Sequence, residues 1–288
     1  MFPIIFFLMS NLRTIFHPYQ PNMVYIEGFN NINSLNDDKI YFLKKLFEVY
    51  PLIIIKNIQN INHNNIISLL SPLDNSSYNY TYIYKSFDRS DKYEWKSDML
   101  TSTVSSIYLI NESLVGGGIE FISTENIFNQ LNNYEKIAAK NMLINYNDFK
   151  LPLVFQAESE YENSKILLLP TLFQNVSGWN LKDSNKWMKH FMYNKVLPLR
   201  FGIQLKKNDL CIFNNRRFIY SYVPYSKYLS NRGFFLYSSI LTNKSLSGIK
   251  PNKEDIYSSI NAAYNCNWIN SRSASLSSFK EFHNYYNK

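Results

Sequence analysis

The segment Asn208 to Tyr225, NDLCIFNNRRFIYSYVPY, decides the fold. Within it, DLCIF (209–213) and RFIYSYV (217–223) are short apolar runs rich in β-branched and aromatic residues, the composition of buried strands. The same texture repeats on both sides. VSSIYLI (104–110), GGGIEFIS (116–123), LPLVFQ (151–156), KILLLP (165–170), RFGIQL (200–205) and GFFLYSSIL (233–241) all read as strands. Helical spacing interrupts them at Tyr134–Ile144 and Asp183–Leu197.

The first hundred residues differ in pattern. Met23–Gly28 alternates as a strand, and Asn36-Asp37-Asp38 offers an N-cap followed by acidic first-turn residues. In the IYFLKKLFEV that follows, Ile40, Leu43, Leu46 and Phe47 repeat as the apolar face of an amphipathic helix, which Pro51 stops. Leu52–Ile58 is a continuous apolar run expected to be a buried strand, and His63–Leu70 a short helix. Mostly short strands with helices near the start and in insertions predict a mostly β sandwich or barrel flanked by helices. With no internal repeat and no long linker, one domain is expected over residues 23–245. It is preceded by an apolar arm (1–22) and followed by a polar, Ser- and Asn-rich extension (246–288), expected to be a peripheral helix or a partly mobile segment.

Composition narrows the functional classes. The chain has 288 residues, 45% hydrophobic and 18% charged, enough to bury a core. Its 30 Lys+Arg against 22 Asp+Glu give a net charge of +8. The lysines are scattered along a sequence uniformly biased toward Asn, Ile, Lys, Tyr and Phe, so this charge reads as compositional drift and nucleic acid is not the expected partner. The opening apolar run lacks a preceding basic region and is too short to span a bilayer. Cys211 and Cys266 lack metal-ligand spacing and read as reduced thiols. The expectation is a soluble, cytoplasmic protein without a membrane partner.

Isolated motifs are uninformative. His17, His63, His190 and His283 are solitary, and Gly116-Gly117-Gly118 leads into a strand rather than the helix a phosphate loop requires. The order of segments says more. YEWKSDML (93–100), VGGGIEF (115–121), NDLCIFNNRRFIYSYVPY (208–225) and Arg232, together with the strand–helix–strand opening MVYIEGFNNINSLNDDKIYFLKKLFEVYPLIIIKNI (23–58), resemble the taurine dioxygenase-like (TauD/TfdA) branch of the iron(II)- and 2-oxoglutarate-dependent oxygenases. The resemblance runs from about Met23 to about Thr242. It implies a double-stranded β-helix, a jelly roll flanked by helices.

The resemblance also implies a site. Such enzymes hold iron with two His and one carboxylate. Here Asp98 stands at the carboxylate position, Lys96 at the first His and Tyr220 at the second. Ile119 replaces a Thr whose hydroxyl touches 2-oxoglutarate, and Arg232 stands where the family keeps the Arg that clamps the 2-oxoglutarate carboxylate. An ammonium has no lone pair and repels a divalent cation. Two residues apart on one strand, Lys96 and Asp98 would share a face and pair, replacing the metal charge. Next to Asp98, Lys96 is held charged, which disfavours a Schiff-base role. Trp95 is a candidate pocket wall, and Arg216 a structural or pocket-rimming residue. The expected function is that of a divergent homologue without its iron, a pseudoenzyme or a binder of a small carboxylate-bearing ligand with no cofactor. The alternative is an active dioxygenase using Fe(II) and 2-oxoglutarate through non-standard ligands, with Asp98 as the retained metal ligand.

Overall fold

The computed structural model describes residues 12–17, 19–20, 22–29, 36–59, 61, 63–73, 80–83, 95–96, 103–112, 116–146, 149–156, 165–167, 175–224, 233–239, 261–263, 265–266 and 268. In chain order these form β1 (Arg13–Phe16), β2 (Met23–Glu27), α1 (Asp37–Val49), β3 (Leu52–Ile55), α2 (His63–Leu70), β4 (Tyr80–Ile83), β5 (Trp95–Lys96), β6 (Val104–Asn111) and β7 (Ile119–Ser123). The helical middle follows with α3 (Thr124–Gln130), α4 (Asn133–Lys140), β8 (Leu143–Tyr146), β9 (Phe149–Pro152), β10 (Val154–Gln156), β11 (Lys165–Leu167), β12 (Asn175–Val176) and α5 (Leu181–Phe191). The last strands are β13 (Phe201–Ile203), β14 (Leu210–Asn214), β15 (Phe218–Tyr222) and β16 (Gly233–Ser239).

Two sheets carry the architecture. The larger has seven strands in the order β1-β2-β3-β14-β6-β16-β4, and the smaller has four in the order β13-β7-β15-β5. Among the described residues all strand pairings are antiparallel except β2 with β3, which α1 connects as parallel neighbours. Apolar side chains fill the space between the sheets: Met23, Leu52, Ile54, Ile107, Leu109, Cys211 and Phe213 from the larger meet Ile119, Phe121, Ile203, Phe218, Tyr220 and Tyr222 from the smaller. This is the expected mostly β fold of two facing sheets. The outer face of the larger sheet is covered by α1 and α2 through Leu43, Phe47, Ile66, Leu69 and Leu70. The outer face of the smaller one lies under α3, α4 and α5 through Ile127, Phe128, Ala138, Ala139, Trp187 and Phe191. Strands buried on both faces explain why LIII (52–55) and LCIF (210–213) read as unbroken apolar runs instead of alternating ones.

Local chemistry sets several boundaries. Asn36 caps α1 by accepting from the Lys39 amide at 3.1 Å, with Asp37 and Asp38 in the first turn as expected. The expected helix over Tyr134–Ile144 is shorter. A capping box formed by Asn132 and Glu135 starts α4, and Asn141 ends it by donating from Nδ2 to the Ile137 carbonyl at 3.2 Å. Leu143 and Ile144 then belong to β8, paired with β9 and β12. The expected helix over Asp183–Leu197 is α-helical only to Phe191. Met192–Val196 forms a π turn and Leu197–Leu199 a 3₁₀ turn containing Pro198. The C-terminal extension contributes to the core: Trp268 stands edge-on to Trp187 at 5.4 Å and to Phe191 at 5.7 Å, and Ala262 and Ala263 are buried in the same cluster.

Asp209 joins the ends of two central strands. Buried to 2% exposure, it accepts from the Asn57 amide (3.1 Å), the Lys206 amide (2.9 Å) and Lys56 Nζ (2.8 Å). Asn208 before it is left-handed (φ 66°), a conformation Asn tolerates better than most residues. A buried carboxylate with three donors is costly to disturb. Asp209→Ala is expected to lower unfolding stability by about 3 kcal/mol in urea titrations, since it strands Lys56 and two amides.

Candidate functional site

The strand period of two fixes what faces inward. On β15, Phe218, Tyr220 and Tyr222 point between the sheets, while Ile219 joins the helical side. Tyr220 is opposite Lys96 on β5 and opposite Phe121 on β7, and Phe121 is in turn opposite Phe201 on β13. One row of inward positions therefore crosses four strands as Lys96, Tyr220, Phe121 and Phe201. The next row holds Tyr222, Ile119 and Ile203. Directly opposed residues on one face have Cβ atoms about 4.5–5.5 Å apart, so Lys96 and Tyr220 are immediate neighbours. Three of the five residues singled out from the sequence, Lys96, Tyr220 and Ile119, thus occupy one inward patch. Asp98 and Arg232 lie outside the described residues.

The patch is aromatic and closely filled. The Tyr220 ring, 1% exposed, stands 5.0 Å from Phe213 across the sheets, 5.6 Å from Tyr222 and 6.3 Å from Phe121. Lys96 is half-buried, and its Nζ sits 5.1 Å from the centroid of the Tyr222 ring. A cation over a ring face is stabilised by about 0.5–2 kcal/mol, the more so when desolvated. Tyr222 was not among the sequence candidates, although the spacing in FIYSY puts it on the same face as Tyr220. Phe213 was missed for a different reason: its contact with Tyr220 crosses between sheets, which no local spacing reveals.

Backbone geometry closes one end of this patch. Gly116 and Gly117 are left-handed (φ 73° and 72°), a region that favours glycine. A Cβ on Gly118 would lie 3.0 Å from the Ile203 carbonyl oxygen, so a larger residue would press the start of β7 away from β13. The Val223 amide donates to the Gly118 carbonyl at 2.9 Å, holding the exit of β15 against the same loop.

One expectation changes, and another narrows to its structural alternative. Trp95, opposite Ser221, points away from the patch and packs on the helical side, because it neighbours Lys96 on a strand whose side chains alternate. Arg216 is buried in the connection between β14 and β15, where its carbonyl accepts from Thr124 Oγ1 at 3.0 Å. Its neighbour Arg217 pairs with Glu125 at 2.7 Å, so this basic pair fastens β15 to α3. His17, His63 and His190 lie on or beside β1, α2 and α5, away from the patch.

Of the two described positions where the resemblance expects imidazoles, one carries an ammonium without a lone pair and the other a phenol packed among rings. Among the described residues no three His, Cys, Asp or Glu side chains converge. Both cysteines are free thiols whose pKa burial pushes up, that of Cys266 to about 11 and that of Cys211 further still.

No family model and no curated protein matches the sequence. Solved structures are similar in fold. AAD-2, crystallised with Mn(II) and N-oxalylglycine, superposes with a TM-score of 0.66 at 12% identity, covering 80% of this chain and 98% of its own. A taurine dioxygenase from Burkholderia xenovorans superposes with a TM-score of 0.63 at 9% identity, covering 80% of this chain and 89% of its own. The chain therefore has the double-stranded β-helix fold of these dioxygenases.

Two outcomes are expected. Tyr220→Ala, which empties the centre of the aromatic patch, is expected to cost about 3–5 kcal/mol in urea unfolding. In thiol labelling of the native protein, Cys266 is expected to become reactive only as pH rises toward about 11, while Cys211 waits for unfolding. In denaturant at pH 9 both thiols should react together, since the protection comes from burial.

Proposed function

We propose that this chain uses the dioxygenase fold without iron and binds a small carboxylate-bearing ligand, as a pseudoenzyme of the TauD/TfdA kind. The carrying observation is the direct opposition of Lys96 and Tyr220 on the inward face, with the Lys96 ammonium over Tyr222. These are the two positions at which the resemblance expects metal-binding imidazoles. A fixed ammonium there supplies positive charge without an open coordination position, so dioxygen activation has no support from these side chains.

In this reading each residue has a binding role. Arg232 clamps the ligand carboxylate with its planar fork, which matches two carboxylate oxygens. Lys96 adds a second positive charge and is balanced by Asp98, so that neither is left as an uncompensated buried ion. Ile119 presents methyl groups where a hydroxyl would have bonded the ligand, favouring an apolar portion at that point. Tyr220 and Tyr222 form the aromatic floor on which the ammonium rests.

The test has two arms. Anaerobic titration with Fe(II) or Co(II), followed by assay of 2-oxoglutarate decarboxylation, is expected to give neither stoichiometric metal binding nor turnover. One-to-one binding that Asp98→Ala removes, accompanied by decarboxylation, would establish the active-dioxygenase alternative instead. Calorimetry with 2-oxoglutarate and succinate is expected to detect binding that Arg232→Met weakens at least tenfold, the loss of a charge-assisted bidentate contact of about 1.5–3 kcal/mol. Restoring imidazoles at the opposed positions, Lys96→His with Tyr220→His, is expected to create Co(II) binding visible by absorption and dependent on Asp98.

A further inference from the structure

The outer face of α5 differs from that of the other long helix. Ser184, Trp187 and Phe191 fill its buried side, so the residues on its opposite side are set by something other than packing. Along that side run Lys182, Lys186 and Lys189 at i, i+4 and i+7, all exposed. The line continues to Tyr193 in the π turn, 70% exposed. Among the described residues no carboxylate forms an ion pair with any of the three lysines. Asp183, the nearest acid in sequence, is engaged with the Asn180 cap, accepting from its Nδ2 at 2.6 Å.

Helix stability does not account for this row. Lys182 lies in the first turn of α5, where the helix dipole disfavours a cation, and Lys186 at its middle, where the dipole gives no gain; only Lys189, in the last turn, is placed to benefit. Compositional drift does not account for it either, since α1 mixes exposed Asp38 and Tyr41 with half-buried Lys45 and Glu48, which pair at 3.1 Å. Three same-sign charges on one line, continued by the exposed ring of Tyr193, combine what single-stranded nucleic acid requires: cations that follow a phosphate backbone and a ring on which a base stacks.

We propose that the outer face of α5, with Lys182, Lys186, Lys189 and the adjoining Tyr193, is a binding surface for single-stranded nucleic acid. It lies on the helical side of the smaller sheet, so it is independent of the inward patch and of the ligand proposed there. An acidic protein or an anionic membrane would use the lysines without needing the ring, and this difference separates the partners.

Fluorescence anisotropy with labelled 20-nucleotide oligo(dT) and oligo(U) tests the surface on the full chain. Three phosphate contacts predict a log–log salt slope of about −2, roughly a twentyfold loss of affinity between 50 and 200 mM salt. Lys182→Glu, Lys186→Glu and Lys189→Glu together are expected to abolish binding. Tyr193→Ala is expected to weaken it about fivefold or more with the slope unchanged, as loss of one stacked base implies. The double reversal Lys206→Glu, Lys207→Glu, at exposed positions elsewhere, is expected to leave binding within about twofold, as is usual for lysines distant from a phosphate path. Circular dichroism melting of each variant confirms folding. The proposal is overturned if binding is absent at 50 mM salt, if the control reversal removes it as fully as the α5 reversal, if Tyr193→Ala has no effect, or if vesicles containing phosphatidylserine bind while the oligonucleotides do not.

Discussion

A slip of one residue in the pairing of β15 would turn Phe218, Tyr220 and Tyr222 out toward the helices and bring Ile219 and Ser221 inward. The rest of the molecule depends on that register. It places the phenol of Tyr220 against Phe213 of the facing sheet, sets Lys96 directly across from it, and lines Ile119 up with Tyr222. Because both faces of the smaller sheet are buried, the wrong register would expose no more apolar surface, yet it would leave the rings without the space they fill. The connection before β15 enforces the correct one. Asn215 donates to Ser105 Oγ at 2.7 Å and its amide to the Thr103 carbonyl at 2.8 Å, while Arg217 is tied to Glu125. The polar letters in the middle of an apolar stretch act as pins for the strand that follows.

Much of this was legible in the sequence because strand chemistry is local. The runs DLCIF and RFIYSYV carry their own period and lie at the centre of the two sheets, and Asn36 and Pro51 mark the ends of α1. What was not legible depends on partners distant in the chain. Nothing in EWKSD says that Trp95 faces helices and Lys96 a sheet; that follows from pairing with Ser221 and Tyr220, more than a hundred residues on. The helix ending at Lys140 could be found only by weighing the Asn141 side chain against an apolar period that continues through Ile144. The Lys row on α5 vanished into the overall charge for a related reason. A linear count mixes cations that share a face with those that do not.

The scaffold here encloses a patch of rings and one ammonium. Fold and chemistry separate easily in such an architecture. The strands are specified by apolar pattern and by pins such as Asp209 and Asn215, none of which belongs to the inward patch. Residues at the centre can therefore exchange polar donors for aromatic bulk with little effect on the pattern that builds the sheets.

The order of the larger sheet has a consequence for synthesis. β3 lies between β2 and β14, and Lys56 is joined to Asp209 across 153 positions of sequence. When the ribosome has produced β1, α1 and β3, one edge of that nascent sheet has no neighbour until β14 emerges. At elongation rates of about 5–20 residues per second, the delay is roughly 8–30 seconds. Throughout it the unbroken run LIII presents a bare, apolar strand edge. A chain at that stage carries the apolar run 52–55 without the strand that covers its second edge in the folded protein.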